Sequence, residues 1–298
     1  MLLVTGITGY SGKYFIHQLV SQNYRYLIKC TVRKSSDTTF LDESGLLVQK
    51  IICDLGVRHA LDDAMRDVNV VIHIGSIFYS RNVVESAIKN KVKRIICVHT
   101  TGIYSKFKSA SSEYKKIEEE IFKLTGKNSC SGLIYLRPTM IYGHMGDRNI
   151  SIFIKFIDKF RVIPLINGGK NLLQPVHGAD LGLAYYRILM AKNIVNGDYI
   201  LSGGNPVSML ELMKFISGYL GKDTKFVSVP LWLGILTATL LRILSFNKFD
   251  FIERVQRMSE DRSFLHEDAK KDFGYSPIRF EEGLKTTVTE YCHSRMKA

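Results

Sequence analysis

The sequence predicts an α/β fold: a doubly wound parallel sheet with a small, discontinuous C-terminal lobe. Three observations carry that expectation. Short apolar runs alternate with helical patterns through the first half of the chain, which argues parallel strands joined by crossover helices, with ligands at the strand C-termini. The first apolar run, Met1 to Thr5, leads straight into Gly6, Gly9 and Gly12, and a helical pattern follows at once. The bulk properties are those of a globular protein: 298 residues, 46% hydrophobic and 23% charged, enough for one large domain or one domain with a smaller lobe.

The opening stretch reads Val4-Thr5-Gly6-Ile7-Thr8-Gly9-Tyr10-Ser11-Gly12. One glycine lets the chain turn sharply out of the strand. One lets the backbone approach a pyrophosphate with no Cβ in the way, and one lets the helix pack close to the sheet. The helix N-terminus offers its unpaired N–H groups and partial positive charge to the phosphates. Glycine triplets also mark ordinary turns. Here the strand before, the helix after and a second apolar strand about 20 residues on select the dinucleotide reading. Thr-Gly-x-x-Gly-x-x-Gly at an N-terminal strand resembles the short-chain dehydrogenase/reductase superfamily, above all its extended and atypical branches, the NAD(P)-dependent epimerase/dehydratase-like proteins. The resemblance implies a Rossmann domain whose cofactor loop is Gly6, Thr8, Gly9, Tyr10, Ser11 and Gly12.

The elements follow in order. Tyr10 to Gln22 reads as a helix, with Phe15, Leu19 and Val20 among its apolar positions, and Tyr26 to Val32 as the second strand. In this fold the residue at the end of that strand meets the adenosine ribose, and a carboxylate there favours NAD. This chain has Thr31-Val32-Arg33-Lys34 and no carboxylate until Asp37. Arg33 and Lys34 suit a 2′-phosphate, so NADP is favoured and NAD is the alternative. A basic loop at a strand end is the plain reading. Leu46 to Cys53 is a third strand, ending in Asp54-Leu55, and a polar helical stretch runs to Asp67. A strand-end turn would explain Asp54; the resemblance implies that the pair lies by the adenine. Asn69 to Ser76 is the fourth strand and matches the family's V-V-I-H-x-A-A, with Gly75 and Ser76 for the small alanines. Ile74, Gly75 and Ser76 are thereby expected against the cofactor, while His73 reads as a satisfied core histidine. Asn82 to Asn90 is a helix and Lys93 to Val98 the fifth strand.

His99-Thr100-Thr101-Gly102-Ile103-Tyr104 resembles the family's S-S-x-x-V-Y-G. Thr100 takes the place of the catalytic Ser/Thr, although a hydroxyl at a strand end is also a common cap. The next helix should carry Tyr-x-x-x-Lys, two side chains that share a face one turn apart. The resemblance implies that the lysine lowers the tyrosine's pKa and holds the ribose, and that the tyrosine exchanges a proton with the substrate oxygen. The segment reads Ser109-Ala110-Ser111-Ser112-Glu113-Tyr114-Lys115-Lys116-Ile117-Glu118-Glu119-Glu120. The family's glutamate four residues after its lysine places Lys116 and Glu120 in those positions and leaves Ser112 where the tyrosine belongs. Tyr114, two residues from Lys116, points to another side. Three readings stand. Tyr114 or Tyr104 reaches the site from another direction; the Thr100 hydroxyl or a water handles the proton; or the protein binds NADP without hydride transfer. The catalytic candidates are thus Thr100, Lys116 and Tyr114, with Lys116 also holding the cofactor. A solvated helix face would equally explain Glu118 to Glu120.

Ser131 to Leu136 is the sixth strand and runs into Arg137-Pro138-Thr139-Met140-Ile141-Tyr142-Gly143, which resembles the family's R-P-x-x-I/V-Y-G. Pro138, Thr139 and Met140 are expected on the nicotinamide side, and Arg137 reads as structural. Beyond it, Asn149 to Phe160 is a helix and Pro164 to Asn171 a glycine-containing loop. Leu173 to Leu181 resembles the family's x-V-x-D-x-A, where the chain returns to the cofactor domain and Asp180 caps a helix to about Lys192. Tyr199 to Gly204 is a strand and glycine turn, and Ser208 starts a helix. The tail Phe273-Gly274-Tyr275-Ser276-Pro277 resembles the family's L-G-x-x-P before a last helix, Phe280 to Ser294. The cofactor domain is expected over 1–143, with 172–195 returning to it, and the substrate lobe over 144–171 and 196–298.

Leu231 to Phe246 is the most apolar stretch. It is too short, and interrupted by Arg242, to span a bilayer. A buried lobe helix is the plain reading; a monotopic anchor or dimer helix flanked by Arg242, Lys248 and Arg254 is the other. The five scattered cysteines form no C-x-x-C pair and no signal peptide is present, so a cytoplasmic protein with small core cysteines is expected. The eight histidines lack metal-ligand spacing. A net charge of +13 suits anionic ligands, and no nucleic-acid-binding signature accompanies it. The leading function is an NAD(P)-dependent epimerase, dehydratase or reductase, an oxidoreductase or isomerase acting on a nucleotide-sugar or another small hydroxyl or carbonyl compound. The alternative is a non-catalytic NADP-binding regulator or scaffold. A homodimer through the helices flanking the fifth strand is implied by the resemblance alone.

Overall fold

The computed structural model describes residues 1–107, 109–126, 131–147, 149–245 and 251–296. Strand β1 (Leu2–Thr5) enters helix α1 (Tyr10–Ser21) and returns as β2 (Ile28–Val32). The short α2 (Thr39–Asp42) leads to β3 (Val48–Ile52), α3 (Arg58–Ala64) to β4 (Val70–His73), and α4 (Ser80–Lys89) to β5 (Arg94–Val98). Helix α5 (Ala110–Leu124) connects β5 to β6 (Gly132–Pro138). Then come β7 (Ile141–Tyr142), α6 (Ile150–Lys159), β8 (Val162–Ile166), β9 (Leu172–Leu173), β10 (Val176–His177) and α7 (Gly178–Met190). β11 (Gly197–Leu201), β12 (Val207–Ser208), α8 (Met209–Tyr219), β13 (Lys225–Val229), α9 (Leu231–Leu244), α10 (Ile252–Arg257), α11 (Glu267–Phe273) and α12 (Phe280–Met296) complete the chain.

The main sheet has seven strands in the order β11-β6-β5-β4-β1-β2-β3, all parallel. Successive side chains of a strand face opposite sides, and β1 divides its residues accordingly. Leu2 and Val4 join Phe15, Leu19 and Tyr185 under α1 and α7. Leu3 joins Leu61, Val83, Val84 and Ile121 under α3, α4 and α5. Both faces are covered, as an all-parallel sheet requires. Each fully buried Leu or Ile contributes about 1.5–3 kcal/mol. Cys30, Cys53 and Cys97 are buried free thiols, as expected of small core residues. Cys130 lies outside the described residues. Arg94, buried at the start of β5, donates to the carbonyls of Ile188, Leu189 and Ala191 and so satisfies the C-terminal end of α7.

A further core cluster joins Ile150, Ile154 and Ile157 of α6 to Leu212 and Ile216 of α8, Ile163 and Leu165 of β8, and Phe280 and Leu284 of α12. Ser208 opens α8 with a capping box closed by Glu211.

The structure differs from the sequence reading in four places here. Gly197–Leu201, expected in the lobe, is the edge strand of the main sheet and pairs with β6 in register Tyr199–Leu136. Val162–Ile166, which overlaps the expected loop, is a strand parallel to β13; Ile163 and Leu165 turn inward and Val162 is exposed. Its two-residue alternation is too short to separate from a loop containing Pro164. The cap of α7 is His177, whose Nδ1 accepts from the Ala179 N–H, while Asp180 sits in the first turn and accepts from the Ile278 N–H. Finally, α9 is not a buried lobe helix: Gly234 and Ala238 are its buried residues, and Leu236, Leu240 and Leu244 are exposed. Its expected last residue, Phe246, lies outside the described residues.

Candidate active site

Two cavities lie side by side along the carboxyl edge of the sheet. The first, about 490 Å³, is lined by the loops after β1, β2, β3 and β4. It occupies the point where strand order reverses, between β1 and β4, the place where an open α/β sheet leaves a crevice for a ligand. Gly6, Thr8 and Gly9 form one wall, Arg33 another, and Asp54, Leu55, Ile74, Gly75 and Ser76 the rest. These are residues the sequence pointed to. Thr31, Val32 and Cys53, read from the sequence only as strand residues, also line it, as does Tyr79 of the 3₁₀ turn Ile77–Tyr79, which the sequence reading does not single out.

The cradle fits a dinucleotide. Gly6 has φ +77, and a Cβ there would lie 2.4 Å from the Gly75 amide nitrogen. A Cβ on Gly12 would lie 2.4 Å from the Ile7 carbonyl oxygen. The two loops therefore approach with no room for side chains, and α1 begins with neither a side-chain cap nor an acidic residue in its first turn. Its N-terminal N–H groups are open to an anion. Of the two cations at the end of β2, Arg33 lines the cavity and exposed Lys34 does not. The Asp54 carboxylate accepts from the Gly56 N–H at 2.8 Å, so it closes a turn while lining the cavity. Tyr10, at the mouth of α1, stacks edge-on against Tyr14 rather than lining the cavity. Ser11 and Gly12 are buried in the helix start.

Beneath this wall, His73 Nδ1 lies 2.6 Å from Thr5 Oγ1 and Nε2 lies 3.1 Å from the Ser76 carbonyl oxygen. A carbonyl only accepts, so Nε2 carries the proton and Thr5 donates to Nδ1. Burial, with His99 nearby, pushes the His73 pKa down to about 4 against the Ser76 bond. The neutral ring thus ties β1 to the Gly75–Ser76 turn.

The second cavity, about 760 Å³, opens after β5 and β6. Thr100, Tyr104, Thr139 and Met140 form its sheet side, and Arg257, Arg262 and Phe264 its lobe side. Thr100 Oγ1 accepts from the Gly102 N–H at 3.0 Å, which caps the 3₁₀ turn Thr101–Tyr104. Pro138 accepts from the Thr101 hydroxyl at 3.3 Å. Glu260 accepts from Ser105 Oγ at 2.7 Å and from the Lys106 N–H at 2.8 Å, closing the lobe onto this turn. The Nε atoms of Arg257 and Arg262 are buried without a hydrogen-bond partner. Burial, reinforced by the Arg257 charge, pushes Arg262 down to about 10. These arginines were not singled out as site residues, because only the fold brings them opposite β5 and β6.

Helix α5 settles which of its side chains face the strand ends. Ser111 Oγ donates to the Gly102 carbonyl at 2.7 Å. Tyr114 is buried with Ile77 and Ile103, its ring centroid 5.7 Å from that of Phe78. Glu118 accepts from His99 Nδ1 and Arg137 Nη1, both at 2.7 Å. Residues 111, 114 and 118 share one helical face. Lys116, about 200° away from Tyr114 and Glu118 at 100° per residue, is exposed and lines neither cavity. It shares its face with Glu120, which pairs with Arg81 of α4 at 3.3 Å. Exposed Ser112 donates to the Ser109 carbonyl of its own helix. The register that aimed Lys116 and Ser112 at the site is therefore not the one the helix adopts. It was set by the glutamate run, and the glutamate turned inward is Glu118, not Glu120. Among the described residues no cluster of His, Cys, Asp and Glu could hold a metal ion.

Known proteins agree with this geometry. Residues 6–127 match the family model of NAD(P)H-binding proteins. A UDP-glucose 4-epimerase of Vibrio cholerae is 21% identical, over 97% of this chain and 95% of that protein. A dTDP-glucose 4,6-dehydratase from Streptomyces venezuelae, solved with NAD bound, superposes with a TM-score of 0.73 at 18% identity, covering 99% of this chain and 97% of that one. An NADPH-dependent quinone oxidoreductase from Escherichia coli gives a TM-score of 0.72 at 19% identity, over 98% of this chain and 100% of that one. The glycine cradle, the parallel sheet and the matched segment together make residues 6–127 an NAD(P)H-binding domain, with NAD(P) as its cofactor, on an α/β fold that these solved structures share.

Proposed function

We propose that the protein is an NAD(P)-dependent oxidoreductase of the epimerase/dehydratase or reductase type, acting on an anionic hydroxyl or carbonyl compound of the nucleotide-sugar class. The observation that carries this reading is the pair of arginines in the second cavity, each with a buried, unpartnered Nε. Buried guanidinium N–H groups need acceptors, and a diphosphate supplies charged ones. UDP-glucose 4-epimerase and dTDP-glucose 4,6-dehydratase, to which the chain is similar, support the substrate class. Arg33 beside the cofactor cavity, with no carboxylate at the end of β2, favours NADP over NAD.

The cofactor supplies hydride exchange when bound. The chain's part is to hold and orient the substrate and to manage a proton. Thr100 Oγ1 takes the Gly102 N–H on a lone pair, which leaves its own O–H for a substrate oxygen. Tyr104 lines the same cavity and is the phenol placed to exchange a proton there. Burial raises its pKa, partly offset by the Arg137 charge, so it stands as the protonated acid.

A second reading, an NADP-binding protein without turnover, is favoured by α5, whose inward face offers Ser111, Tyr114 and Glu118 instead of a tyrosine and lysine one turn apart. Native mass spectrometry followed by titration tests both. The protein should retain or take up NADPH, and UDP-glucose or dTDP-glucose should then bind with an affinity that falls at least about tenfold in Arg262→Met. NADPH uptake with no nucleotide-sugar binding would discard the enzyme reading in this form and leave the second.

A further inference from the structure

We propose that α9 is an in-plane membrane-docking helix, and that the protein binds the surface of an anionic bilayer through it. The helix runs 14 residues, Leu231–Leu244, without an acidic or basic side chain before Arg242. At 1.5 Å per residue it is about 21 Å long. Its inner face is narrow: Gly234 and Ala238 are buried, and a Cβ on Gly234 would lie 2.5 Å from Ile166 Cδ1. Its outer face exposes Trp232, Leu236, Leu240, Leu241, Ile243 and Leu244, between 47% and 75% of each. Large apolar side chains at helical spacing on one outward face make a contiguous patch, which is unusual unless something covers it.

Two further observations say what covers it. The polar side chains of the helix body need no water: Thr237 Oγ1 donates to the Gly234 carbonyl at 2.9 Å and Thr239 Oγ1 to the Ile235 carbonyl at 2.8 Å. Hydroxyls satisfied within the helix suit an apolar medium. The charge is also one-sided. Between Asp223 and Asp250 the sequence has no carboxylate, and it carries Lys225, Arg242 and Lys248 on a chain of net charge +13. Cations flanking an apolar stripe match the anionic headgroups of a bilayer. A second copy of this chain would instead bring those cations against their equals. No helix among the described residues is long and apolar enough to cross a membrane, so the contact is with one surface. Trp232 at the N-terminal end has the amphipathic ring that settles at headgroup level.

Trp232 is also the single tryptophan of the chain, which makes it a private reporter. The full-length protein, with NADPH added, is mixed with vesicles of phosphatidylcholine alone or of phosphatidylcholine with phosphatidylglycerol. Emission and co-sedimentation are then read. The expected result is a blue-shifted Trp232 emission and co-sedimentation with the anionic vesicles, weakened by salt. The variant Leu236→Glu/Leu240→Glu/Leu244→Glu should partition at least about tenfold less while still binding NADPH, which shows that it is folded. Three outcomes overturn the proposal. The protein ignores anionic vesicles at low salt. It sediments with them equally in the triple variant, or without a Trp232 shift, which makes the attraction a general property of its basic surface. Or it is a dimer that the triple variant dissociates and no vesicle binds, which assigns the face to a second copy.

Discussion

Glu118 and Arg137 meet in a bidentate pair, Nη1 to Oε1 at 2.7 Å and Nη2 to Oε2 at 2.9 Å, and each holds a further partner. Glu118 accepts from His99 Nδ1 at 2.7 Å, and Arg137 donates from Nε to Asp198 at 2.6 Å. One network thus joins the end of β5, helix α5, β6 and the edge strand β11 beneath the loop that carries Thr100. Burial opposes the Glu118 charge, but the bonds from His99 and Arg137 outweigh it and hold the carboxyl at about 2.

Removing one partner should leave the other buried and uncompensated. Glu118→Gln should lower unfolding stability by about 3 kcal/mol at pH 7, read from urea titrations. The group's folded pKa lies below its ordinary value of 4.5. Its stabilisation is therefore present above that value and is lost as pH falls from about 4.5 toward 2. The difference between parent and variant should shrink across that window. A difference that persists unchanged into acid would show that the carboxylate charge is not what stabilises the network.

Asp180 should behave with the opposite sign. Burial raises its pKa to about 7, opposed by the Ile278 N–H bond. The folded state then holds a proton that the unfolded chain has released, so stability falls as pH rises from about 4 to 7. Asp180→Asn should gain roughly 2–3 kcal/mol on the parent between pH 5 and pH 8, measured as the change in their stability difference.

The approach of Gly6 to Gly75 admits no side chain. Gly6→Ala would place its Cβ 2.4 Å from the Gly75 nitrogen at a φ of +77. NADPH affinity should fall at least about tenfold, with helical circular dichroism retained. An unchanged dissociation constant would remove the cofactor from this loop.

Arg33 and Lys34 should part company. Arg33→Ser should weaken NADPH by about tenfold and leave NADH within about twofold, since it removes one charge-assisted contact to a 2′-phosphate. Lys34→Ser should change neither. Equal losses for both dinucleotides would make Arg33 a general electrostatic contributor rather than a specificity residue.

Lys116→Ala gives a direct test of the helix register. Lys116 is exposed on the face shared with Glu120, so NADPH affinity should stay within about twofold, read by fluorescence titration. A tenfold loss would return it to the ribose.

Local chemistry and the alternation of apolar runs with helical patterns determined much of this protein from the sequence alone. The inner strands β1, β4 and β5 are largely apolar runs because both faces of a parallel sheet are covered, whereas the edge strand β3 carries exposed Gln49 and Lys50; the order in which strands alternate with helices needs no distant contact to be read. The opening cradle is equally local, since Gly6, Gly9 and Gly12 meet the backbone demands of one turn and one helix start. What only the tertiary structure decided depends on contacts between distant residues. The inward glutamate of α5 is Glu118 because Arg137 and His99, each 19 residues away, face it there; three consecutive glutamates look alike until their partners are placed. Arg257 and Arg262 become cavity residues because Glu260 fastens their segment to Ser105, 155 residues earlier. Helix α9 reads as core by composition, and it stands exposed because the small residues Gly234 and Ala238 make its packed face, leaving the large ones outside.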